Sequence, residues 1–67
     1  MNVDGVARRV LAEFDEMPGL ALTVRQASRL FGLDHDVCQM VLDSLVDMAY
    51  LRQTSDGVIL RGDRVAA

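Results

Sequence analysis

Lysine and tryptophan are missing from this chain of 67 residues, which holds one cysteine, one proline and one histidine. A single cysteine excludes an internal disulfide and any cysteine-rich metal or iron–sulfur site. A single histidine with no second imidazole leaves metal binding and a catalytic triad without their parts. One proline among 51% hydrophobic residues excludes a disordered or linker class. No apolar run approaches the roughly 20 residues that a bilayer crossing needs. The opening MNVDGVARRV has no apolar stretch behind its positive charges, so no secretion signal is expected. No glycine-rich phosphate loop is present either. The expectation is one domain over residues 1–67, soluble and cytoplasmic in a reducing compartment, with no cofactor, no membrane segment and no small-molecule substrate. Its core is small, because a chain this short buries only about 60% of its unfolded surface.

The apolar residues that are there repeat at helical spacing. Val3, Ala7, Val10, Leu11, Phe14 and Met17 recur in steps of three and four, which predicts a helix over about residues 4–17. Asn2 or Asp4 is expected to cap it, and Arg9 with Glu13 forms an i,i+4 pair on its outer side. Pro18-Gly19 stops it, and its acidic end (Glu13, Asp15, Glu16) opposes the helix dipole. Leu20-Ala21-Leu22 reads as a short bridging strand. Thr23-Val24-Arg25-Gln26 is a capping box, starting a helix of about eight residues with Val24, Ala27, Leu30 and Phe31 inward. Gly32 supplies the positive φ that ends it, and Leu33 fills the turn. Asp34 is expected to cap a third helix over about 35–49, with Cys38, Val41, Leu42, Leu45 and Met48 on its inner face. Tyr50–Thr54 and Val58–Arg61 then read as two strands joined by Ser55-Asp56-Gly57, a strong hairpin signal. Residues 62–67 are expected to fray.

Helix, short strand, helix, glycine turn, helix and hairpin is the order of a winged helix-turn-helix, mainly α with a small β-hairpin. Residues 22–51, LTVRQASRLFGLDHDVCQMVLDSLVDMAYL, resemble the three-helix core of that superfamily. Leu51–Thr54 and Gly57–Arg61 resemble its wing. Ala49 stands where such domains often place glycine, which leaves the helix end without its usual left-handed residue. The resemblance implies a macromolecule-binding module of the transcription-regulator type, with the third helix read into the DNA major groove.

Charge opposes that docking. The outward side of the third helix carries Asp36, Gln39, Met40, Asp43 and Asp47, with His35 and Ser44 at its margins. Residues 34–50 hold four Asp and no Arg, whereas the remainder holds seven Arg against six acids. Three aspartates in one stripe repel phosphate by on the order of 1 kcal/mol per close pair. Phosphate contact, if DNA is the partner, is expected from Arg25 and Arg29 on the second helix and Arg52 and Arg61 on the wing. Arg52 and Arg61 are expected as near neighbours across the hairpin, sharing an anion, either internal (Asp56, Asp63 or a helix-three Asp) or external. Cys38 falls on the core side, and no nucleophile and base adjoin one another, so no enzyme is expected. Two readings remain open: a regulator with arginine-mediated DNA contact and an acidic helix for protein contact, or a protein-interaction or homodimer module without nucleic acid.

Overall fold

The computed structural model describes residues 3–63. Three helices and three short strands follow in the order α1 (Val3–Glu16), β1 (Ala21–Thr23), α2 (Val24–Phe31), α3 (His35–Asp47), β2 (Leu51–Gln53) and β3 (Val58–Arg61). The helices pack around Val10, Phe14, Ala27, Phe31, Cys38, Val41, Leu42 and Leu45, and the sheet closes the core with Leu51 and Ile59. No helix among the described residues is long and apolar enough to cross a membrane.

Helix α1 starts one residue earlier than its periodicity predicts. Asp4 therefore lies inside the first turn rather than at the cap; Asn2 and the side chain of Val3 lie outside the described residues. Val10 and Phe14 are buried, with Val6, Ala7 and Leu11 packed against them. Met17 is 44% exposed, because the helix has ended before it. A turn through Pro18-Gly19, closed by the Leu20 N–H donating to the Met17 carbonyl at 2.8 Å, leads into β1.

The capping box forms as its residues dictate. The Gln26 N–H donates to Thr23 Oγ1 at 3.2 Å, and the Thr23 N–H donates to Gln26 Oε1 at 2.9 Å. Two otherwise orphaned amides are satisfied, so a helix of only eight residues has a defined start. Gly32 ends α2 at φ 66°. Leu30, expected inward, is 51% exposed. Ala27 and Phe31 set the buried direction, and Leu30 lies about 100° from Phe31 around the helix.

Helix α3 ends two residues sooner than expected, in a reciprocal pair of terminal bonds. The Tyr50 N–H donates to the Leu45 carbonyl and the Ala49 N–H to the Val46 carbonyl, each at 3.0 Å. This arrangement requires a left-handed residue after the cap, and Ala49 adopts it at φ 66°. The left-handed residue expected to be lost is thus present, carried by alanine at a steric cost of about 1–2 kcal/mol. Met48, one position past the last helical residue, turns out and is 45% exposed.

The strand order is β1-β3-β2, all antiparallel, with β3 in the middle. Thr54 and Val58 close the hairpin around Ser55-Asp56-Gly57: the Thr54 N–H donates to the Val58 carbonyl at 2.9 Å, and the Val58 N–H to Thr54 Oγ1 at 3.2 Å. That closing pair sets Leu51 opposite Arg61 and Arg52 opposite Leu60. Gly62, expected to fray, donates its N–H to the Tyr50 carbonyl at 2.9 Å. The rest of the expected tail, 64–67, lies outside the described residues.

Candidate functional site

The outward side of α3 is the most distinctive surface. Its buried residues Cys38, Val41, Leu42 and Leu45 fix which way the helix faces. At 100° per residue, Asp36, Met40, Asp43 and Asp47 then fall in one stripe on the opposite side. All four are exposed, Met40 to 51%. Gln39 sits half-buried beside them and donates from Nε2 to Asp43 Oδ1 at 2.8 Å. His35 and Ser44 are exposed at the edges. Asp34 takes the extended cap conformation (φ −60°, ψ 145°), but its side chain makes no capping hydrogen bond, contrary to expectation.

No cation among the described residues answers this stripe. Among the described residues the one ion pair joins Arg61 to Asp15, and no α3 aspartate lies within 4.0 Å of a guanidinium. The expected Arg9–Glu13 pair does not form within that distance either.

The arginines do not gather as the sequence suggested. Arg25 and Arg29 are exposed one turn apart on α2, opposite its buried Ala27 and Phe31. Arg52 and Arg61 are not neighbours across the hairpin. Their positions are offset by one residue in the register, and a one-residue offset puts side chains on opposite faces of a sheet. Arg61 shares the face of Ile59 and Leu51 and reaches α1, where its Nε stands 3.5 Å from Asp15 Oδ1. Its anionic partner is therefore Asp15, not Asp56, Asp63 or an α3 aspartate. Arg52 projects alone from the other face of the edge strand.

A concavity that the sequence did not announce lies elsewhere on the surface. An open groove of about 420 Å³ runs between α1 and the end of α3, with Arg8, Leu11, Met48 and Tyr50 among its lining. It arises where Met48 leaves the helical stripe, so only the early end of α3 could have signalled it.

Cys38 is fully buried, its Sγ 3.8 Å from the Val24 carbonyl oxygen. Burial pushes its thiol above the ordinary value of 9.0, which keeps it protonated and unreactive at neutral pH. Among the described residues no three His, Cys, Asp or Glu side chains gather closely enough to hold a metal ion. The three comparisons, with family models, curated proteins and solved structures, return no match for this chain.

Proposed function

We propose that this chain is a winged-helix-type binding module whose α3 docks a protein with a basic surface. One observation carries the reading: Asp36, Met40, Asp43 and Asp47 are exposed together, and no guanidinium among the described residues lies against the acids. A half-exposed methionine among carboxylates suits a protein partner, since its flexible thioether fills uneven apolar recesses while the acids take guanidinium or ammonium groups. The same stripe in a DNA groove would add repulsion where affinity depends on neutralising phosphate.

A second reading has support of its own. Arg25, Arg29 and Arg52 are exposed and have no ion-pair partner among the described residues, so they remain available to phosphate. Arg61 leaves that set, being engaged by Asp15. The reading of the chain as a regulator-type DNA binder then rests on three arginines from two separate elements.

Amide shift mapping separates the two. An arginine-rich helical peptide at low salt is expected to perturb residues 36–47. A mixed-sequence duplex is expected to leave them unchanged. Perturbation of α3 by the duplex, or its indifference to the peptide, would overturn the proposal. Salt-sensitive duplex shifts confined to Arg25, Arg29 and Arg52 would establish the second reading instead.

A further inference from the structure

We draw no further inference here: the strongest candidate, the open groove of about 420 Å³ between α1 and the end of α3, carries none, because Asp4 and Arg8 stand together in its lining and leave no net charge to select a partner, and nothing in the structure shows what covers it.

Discussion

Arg61 holds its Nε 3.5 Å from Oδ1 of Asp15, and so β3 supplies the cation that the C-terminal end of α1 lacks. Three acids crowd that end, where the helix dipole favours positive charge. One arginine from a distant strand relieves both the local charge and the dipole. The pair is partly exposed, which limits its worth to under about 1 kcal/mol.

Arg61→Gln is therefore expected to lower unfolding free energy by less than about 1 kcal/mol, with the loss shrinking as salt rises. Asp15→Asn is expected to be near neutral in the parent chain, because it removes the ion pair and the dipole clash together. In the Arg61→Gln background the same change should stabilise. Urea denaturation of the four proteins measures the coupling, and additive effects would show that the pair contributes nothing.

Ala49→Gly is expected to raise stability by about 1 kcal/mol. Alanine at φ 66° meets the steric penalty of the left-handed region, and glycine does not. The gain is smaller than the full penalty because glycine also loosens the unfolded chain. Thermal melts check it; an unchanged or lower midpoint would mean that the alanine side chain makes a compensating contact.

Gly62→Ala is expected to destabilise by about 1–3 kcal/mol. A Cβ there would collide with the Ala49 carbonyl oxygen and lie 2.9 Å from the Tyr50 carbonyl carbon, both backbone atoms that cannot swing aside. The Gly62 N–H bond to Tyr50 would be disturbed at the same time. Faster amide exchange at Gly62 in the variant is the local signature, and wild-type stability would refute the close approach.

Cys38 gives a pH prediction. Its thiol is held above 9.0 in the folded chain by burial, so the folded state binds the proton more tightly than the unfolded one. The contribution is whole below the unfolded value and is lost as pH climbs past it towards the folded value. Stability is expected to fall above about pH 9 more steeply in the parent chain than in Cys38→Ala. Parallel slopes for the two proteins would contradict the burial argument.

The features legible in the sequence were those set by neighbours in the chain. Thr23 and Gln26 are three residues apart and cap each other whatever else the fold does. Gly32 and the loop 55–57 likewise announce themselves locally. The exposed stripe of α3 followed from periodicity, since Cys38, Leu42 and Leu45 leave Asp36, Met40, Asp43 and Asp47 no other side. What periodicity could not supply is where a stripe stops. Met17, Leu30 and Met48 all continue an apolar spacing at or near a helix end, where the chain has turned away or the core has run out. The hairpin arginines failed for a different reason. Which face each occupies depends on the closing pair of the hairpin, and one residue of slip reverses it. The Asp15–Arg61 contact joins residues far apart in sequence and left no mark there.

Because β3 lies between β1 and β2, the piece of backbone made last of the three is the one to which both others bond. A growing polypeptide halted at Gly57 has the residues of every helix but neither ladder, and it lacks Ile59 beneath the core. During vectorial synthesis the sheet therefore cannot close before residues 58–61 emerge, and both ladders become available with the same four residues.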